Sequence, residues 1–218
     1  MKRTAIITLL ILGLAVPGLA QSRPVSFSLK GGVDYANLNI EGTGVDDPDY
    51  LLGFGGGITL STHMQSGLSF DMDVLYMRKG AQQTYSSLTG HDVDIKTQLN
   101  YVTVSPMFRI APGHSGAGIY FLGGGEVGYL LEAKSTSSGG DDDADAETDI
   151  SDNFKELDYG VTFGLGFLMG SGGGGGFFVE SRYVLGLNDL VDEEYAKSLE
   201  KAPTIKTVGI YVLGGIRF

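Results

Sequence analysis

Cysteine is absent from this 218-residue sequence, which rules out a disulfide, a thiolate metal site and a lipid-modified N-terminal cysteine. Basic residues are few, 15 Lys+Arg against 26 Asp+Glu, for a formal net charge of −11. That balance excludes nucleic acid as a partner, because phosphate recognition needs a basic face. Beyond residue 20 no apolar run approaches the roughly 20 residues a spanning helix requires. Glycine, by contrast, is abundant at 35 residues, and it sits inside segments of strict apolar/polar alternation.

The first twenty residues read as an export leader. Lys2 and Arg3 form a charged start, Ala5 to Val16 an apolar stretch, and Pro17 breaks it. Gly18-Leu19-Ala20 places small residues at the −3 and −1 positions of a cleavage site, so Gln21 is the expected mature N-terminus. A membrane anchor is the competing reading, and the apolar stretch is short for one. Domain organisation is therefore expected as a leader over 1–20 and one barrel domain over 21–218.

Eight alternating segments follow. The first, about 25–37, sets Val25, Phe27, Leu29, Val33 and Tyr35 against Ser26, Ser28, Lys30, Gly32 and Asp34. The second, about 50–61, sets Leu52, Phe54, Ile58 and Leu60 against Gly53, Gly55, Gly57 and Thr59. The third (67–79) opposes Phe70, Met72, Val74 and Tyr76 to Ser69, Asp71 and Asp73; the fourth (97–110) opposes Val102, Val104 and Phe108 to Tyr101, Thr103 and Arg109. In the fifth (118–132), Phe121, Val127, Tyr129 and Leu131 face away from Tyr120, Gly124, Glu126 and Gly128. The sixth (155–169) separates Tyr159, Val161, Phe163 and Phe167 from Asp158, Gly160 and Thr162; the seventh (176–187) separates Phe177, Val179 and Tyr183 from Glu180, Arg182 and Gly186. The eighth separates Val208, Ile210, Val212, Ile216 and Phe218 from Thr207, Tyr211, Gly215 and Arg217. A period of two gives strands with two unlike faces.

Connections alternate in length: 62–66, 111–117 and 170–175 are short, whereas 38–49, 80–96, 133–154 and 188–204 are long and polar. An even strand count with this asymmetry predicts an all-β fold, an eight-stranded antiparallel transmembrane β-barrel with short periplasmic turns and long extracellular loops. Aromatic spacing agrees. Tyr35, Tyr76, Tyr129, Tyr159 and Tyr183 fall beside long connections, and Phe27, Phe108, Phe121, Phe167, Phe177 and Phe218 beside short ones. Eight residues at about 3.3 Å each and a tilt near 40° rise roughly 20 Å, the height of an apolar band between two aromatic girdles. The rival all-β fold, a soluble lipocalin-like barrel, would turn the apolar faces inward and crowd its lumen with aromatics.

Several segments resemble a known family. Leu99, Tyr101 and Pro106, then Gly128-Tyr129-Leu130-Leu131, Asp158 with Gly160, and Arg182-Tyr183 with Gly186-Leu187 are similar to motifs of the outer-membrane β-barrel family that includes PorT-like proteins. The resemblance spans residues 21–218 and implies a bacterial outer-membrane location, with lipid as the surrounding partner. For the PorT-like subset it implies a place in a type IX secretion apparatus. The last strand, with alternate apolar residues ending at Phe218, resembles the signal read by barrel-assembly machinery. Other envelope or secretion proteins are the remaining expected partners.

Chemistry concentrates on the polar faces. Lys30, Asp34, Asp71, Asp73, Arg109, Glu126, Asp158, Glu180, Arg182 and Arg217 are expected to meet inside the barrel. A lumen of eight strands is filled by side chains, and buried charges must pair, so an ion-pair plug is the first expectation. A gated proton or ion path, or a small ligand pocket near the outer mouth, is the alternative. Asp141, Asp142, Asp143 and Asp145 crowd one long connection, with Asp46, Asp47 and Asp49 in another. Hard oxygen ligands suit Ca²⁺, but the spacing is not that of an EF-hand, and like-charge runs are usually solvated.

Gly123-x-Gly125-x-x-Gly128 matches a dinucleotide fingerprint without the helix that would receive a pyrophosphate. His63 and His114 fall in short turns. His91 lies near Asp92, Asp94, Ser86 and Ser87 in a long connection, a poor frame for a preorganised catalytic set. No cofactor and no enzymatic activity are expected. The expected role is a structural or interaction barrel with acidic external loops, with a small transport pore or secretion component as the alternative.

Overall fold

The computed structural model describes residues 25–41, 48–65, 67–86, 92–112, 118–138, 146–170, 175–198 and 202–218. The leader and its cleavage site, Asp46, Asp47, His91, His114 and the run Asp141, Asp142, Asp143 and Asp145 lie outside the described residues.

Among the described residues nine strands form: β1 (Val25–Glu41), β2 (Asp49–Gln65), β3 (Leu68–Ser86), β4 (Asp92–Ile110), β5 (Gly118–Ser138), β6 (Ala146–Asp149), β7 (Leu157–Gly170), β8 (Gly176–Gly186) and β9 (Thr204–Arg217). A 3₁₀ turn (Ser151–Asn153) precedes β7, and a short helix, α1 (Glu193–Ser198), precedes β9. Eight strands pair in a closed antiparallel ring, β1-β2-β3-β4-β5-β7-β8-β9, with β9 returning to β1. The short β6 extends the ladder above β7 by pairing with the far end of β5.

The register fixes the shape. From Ser26 the pairs run through Ser61, Asp71, Met107, Gly124, Thr162, Val184 and Gly209 and return to β1 at Ala36, ten residues further on. A stagger of ten over eight strands tilts them about 41° and gives a barrel radius of about 8 Å for a spacing of about 4.8 Å. That bore is narrow enough for side chains to fill.

The alternation sorts the two faces. Asp34, Asp73, Thr103, Ser105 and Thr162 are fully enclosed, whereas Leu29, Leu52, Phe54, Phe121, Phe163, Leu165 and Phe177 are exposed. A soluble barrel has the opposite arrangement. A continuous apolar belt around a polar interior matches a lipid solvent, in which a closed ring leaves no open strand edge. Among the described residues no helix is long and apolar enough to cross a membrane.

The structure departs from expectation at one rim. Residues 80–86, 92–96 and 133–138, expected in loops, continue as strand. Their side chains are mostly polar, so the apolar rhythm fades there while the hydrogen-bonded ladder does not. Thr84, for example, donates to Asp94 across it at 2.6 Å. Conversely, residues 155–156 leave the expected sixth segment, because Ile150 and Phe154 pack on the apolar cluster before β7 begins. A bulge near Asn100 and Tyr101 places Leu131 opposite no partner and shifts the parity of β5 beyond it. Beside that bulge Tyr129 is buried, so it does not stand in the exposed girdle with Tyr35, Tyr159 and Tyr183.

Candidate functional site

The lumen side chains lie in tiers, each built from strands distant in sequence. At the short-turn end, Arg109 Nη2 faces Asp71 Oδ1 at 3.3 Å, and its guanidinium lies over the Tyr120 ring. Arg217 donates from Nε to Ser26 Oγ at 3.1 Å and meets His63 Nε2 at 2.8 Å. His63 thus turns towards the lumen mouth rather than ending in a turn.

The middle tier is a four-membered charge cluster. Lys30 Nζ lies 3.0 Å from Asp73 Oδ2 and 2.9 Å from Glu180 Oε1, and Arg182 Nη2 lies 2.6 Å from each of the same two oxygens. Two cations and two carboxylates alternate, tying β1, β3 and β8 together across the bore. Tyr120 donates to the second oxygen of Glu180 at 2.9 Å. All four charged side chains are at most 3 % exposed, so their desolvation is offset by this mutual pairing and by the Tyr120 hydrogen bond to Glu180.

The upper tier centres on Lys79, which donates to Glu126 Oε1 at 2.9 Å and to Asp158 Oδ2 at 3.4 Å. Tyr211 donates to Glu126, and Thr207 to Asp158. Asp34 is fully buried beside this tier, and neither of its oxygens has a hydrogen-bond partner. Lys79 was absent from the expected set, although its odd number shares the parity of Asp71 and Asp73. Tyr101, Tyr120 and Tyr211 sat on the polar faces and fill the lumen as bulk.

Apolar clusters flank this polar column, one amid the short-turn tier and one above it beneath the long connections. Towards the short turns, Met107, Tyr120 and Leu122 pack with Ala111 and Leu168. Towards the long connections, Leu38, Leu99, Leu130 and Leu190 pack with Ile150 and Phe154. Backbone bonds hold that upper seal: Lys155 N to Leu190 O at 2.7 Å and Leu190 N to Ile205 O at 2.8 Å. Asp189 Oδ1 accepts from the amides of Val191 and Ile205, which fixes the turn carrying Leu190. Outside the seal a groove of about 760 Å³ is lined by Asp152, Lys155, Glu156, Asp192, Glu193 and Glu194 among others. Among the described residues no group of three or more His, Asp or Glu has the geometry of a metal site.

A closed ring of eight antiparallel strands, apolar outside and charged within, defines a transmembrane β-barrel. Residues 19–192 match the outer membrane protein beta-barrel domain, and the chain belongs to that family. The protein is accordingly a bacterial outer-membrane protein. The match does not separate a PorT-like subset from the rest of the family. No curated protein matches the sequence.

Similar solved structures include Ail, the attachment invasion locus protein of Yersinia pestis, in complex with the heparin analogue sucrose octasulfate. That match has 15 % identity and a TM-score of 0.38, over 89 % of this chain and 99 % of that one. Neisserial surface protein A matches at 12 % and 0.43, over 89 % and 97 %. OprG from Pseudomonas aeruginosa matches at 15 % and 0.38, over 90 % and 97 %. The assignment rests on the family match and on the ring, and these likenesses carry none of it.

Proposed function

We propose that this barrel is a non-enzymatic structural or interaction protein whose acidic rim meets a partner outside the membrane. The observation that carries this reading is the double closure of the lumen. Salt-bridged tiers fill the bore, and the Leu38, Leu99, Leu130 and Leu190 layer seals it beneath the long connections. What is presented outward is instead the groove with Asp152, Glu156, Asp192, Glu193 and Glu194. Insertion through assembly machinery that reads the strand ending at Phe218, after cleavage following Ala20, belongs to the same proposal.

The alternative is a small pore or a component of a type IX secretion apparatus. It draws on the PorT-like motifs and on the charged column from Arg217 to Lys79. Single-channel recording in planar bilayers separates the two. The sealed reading expects no stepwise conductance from the wild-type barrel and leakage only when Leu190→Gly opens the rim. Stepwise conductance in the wild type would favour the pore. Co-purification of envelope proteins, lost on changing Asp192, Glu193 and Glu194 together to their amides, supports the acidic rim as the contact surface. Co-purification unaffected by that change would remove the rim from the proposal.

A further inference from the structure

Among the described residues, charge on the outer wall is confined to one rim. Between the aromatic girdles the lipid-facing positions of the described strands carry no charged residue. Arg78 is the first to break that rule, two residues beyond Tyr76 on β3 and therefore on the same face. Its neighbours Met77 and Lys79 are buried in the lumen, while Arg78 itself is partly exposed.

Arg78 is held in place. Its guanidinium lies 4.8 Å over the Phe54 ring, and that ring in turn packs on Tyr76 with centroids 6.4 Å apart. Its Nε donates to Asn100 Oδ1 at 3.2 Å. Asn100 is fixed in turn by donating from Nδ2 to Glu132 Oε2 at 3.1 Å. Glu132 lies 3.2 Å from Lys134, a cation it shares with Glu147 at 2.7 Å, so the acid on this face is engaged with another cation. Among the described residues no carboxylate pairs with Arg78, and no protein atom takes its two terminal nitrogens.

A planar guanidinium immobilised at its face and at Nε leaves a preorganised fork, the geometry that receives two oxygens of one phosphate. Its height fixes which phosphate. A long basic side chain at the edge of an apolar band reaches the headgroup layer. We propose that Arg78, backed by Phe54 and steadied by Asn100, is a binding site for the phosphate of an anionic lipid headgroup in the leaflet beside the long connections.

Native mass spectrometry of the full folded chain, released from micelles containing equal phosphatidylglycerol and phosphatidylcholine, tests this. The wild type should retain one phosphatidylglycerol in preference to phosphatidylcholine. Arg78→Gln should lower that retention about tenfold, consistent with loss of charge-assisted hydrogen bonds. Arg78→Lys should fall between, since the charge stays and the fork is lost. Lys197→Gln, on exposed α1, should change nothing. A heat-dependent gel shift certifies each variant as folded. No headgroup preference in the wild type, or equal retention by folded Arg78→Gln, overturns the proposal. Should Arg78→Gln not fold, Phe54→Leu removes the backing ring and keeps the charge. Reduced retention then supports the site, and undiminished retention overturns it.

Discussion

Placing an arginine at Phe163 puts the inside-out reading of the barrel at direct risk. Phe163 is 59 % exposed and stands four residues from Tyr159 and four from Phe167 on β7. At about 3.3 Å per residue and a tilt of about 41°, each interval climbs about 10 Å, so Phe163 lies midway through the apolar band. Its ladder partners are Gly123 and Tyr183, which leave no neighbouring acid to accept a cation. An arginine at the midplane of a lipid-facing wall costs about 2–4 kcal/mol. At a similarly exposed site in a water-facing barrel the change costs within about 0.5 kcal/mol. Phe163→Leu provides the reference, since it removes the ring without adding charge. Urea unfolding in phosphatidylcholine vesicles, followed by far-UV circular dichroism and by mobility on unboiled gels, measures the difference. Tryptophan fluorescence has no reporter here, because the chain contains no Trp. A gap under about 1 kcal/mol between the Arg and Leu variants would refute the lipid-facing assignment.

Three further outcomes are expected in the same unfolding assay. Lys79→Met should cost about 3–5 kcal/mol by stranding Glu126 and Asp158, and adding Glu126→Gln should restore part of it; simple additivity of the two losses would show that the pair is not coupled. Asp34→Asn should be neutral or stabilising by up to about 2 kcal/mol, since its buried carboxylate has no hydrogen-bond partner to lose; a marked loss would reveal work done by that charge. Gly124→Ala should cost about 1–3 kcal/mol, because its Cβ would run into the carbonyl oxygen of Pro106, while Gly125→Ala, whose Cβ would meet Gly160 O at 3.9 Å, should be silent; equal effects would undo the register assigned to β4 and β5.

The ring was legible in the amino-acid sequence because each spanning segment has two unlike faces and because lipid outside and charge inside make the contrast steep. Where the outer solvent becomes water the contrast fades, so strand ends such as Thr84 and Lys96 read as loop although the ladder continues through them. Tyr129 illustrates a second limit: a bulge two residues away alters its surroundings without a mark in the alternation. Lys79 was readable from parity alone. Which cation meets which acid was not, because Lys30, Asp73, Glu180 and Arg182 come from strands whose approach depends on the stagger of the whole ring. The rim seal was the least legible part. Ile150, Phe154 and Leu190 are isolated apolar residues in polar connections, and only the fold brings them together.

The closure of β9 on β1 bears on how the barrel is made. Arg217 and Ser26 hydrogen bond across 191 positions, so the ring is completed by its most distant contacts. Closing a flexible loop of that length costs about 4–5 kcal/mol beyond a constant. Until then the growing sheet exposes two unpaired edges and an apolar wall to water, the conditions under which chains pair with each other instead. Assembly is therefore under kinetic pressure to deliver β9 to β1 before two nascent molecules meet. A holding factor that masks β1 and β9 together would protect the chain more effectively than one that coats the middle strands.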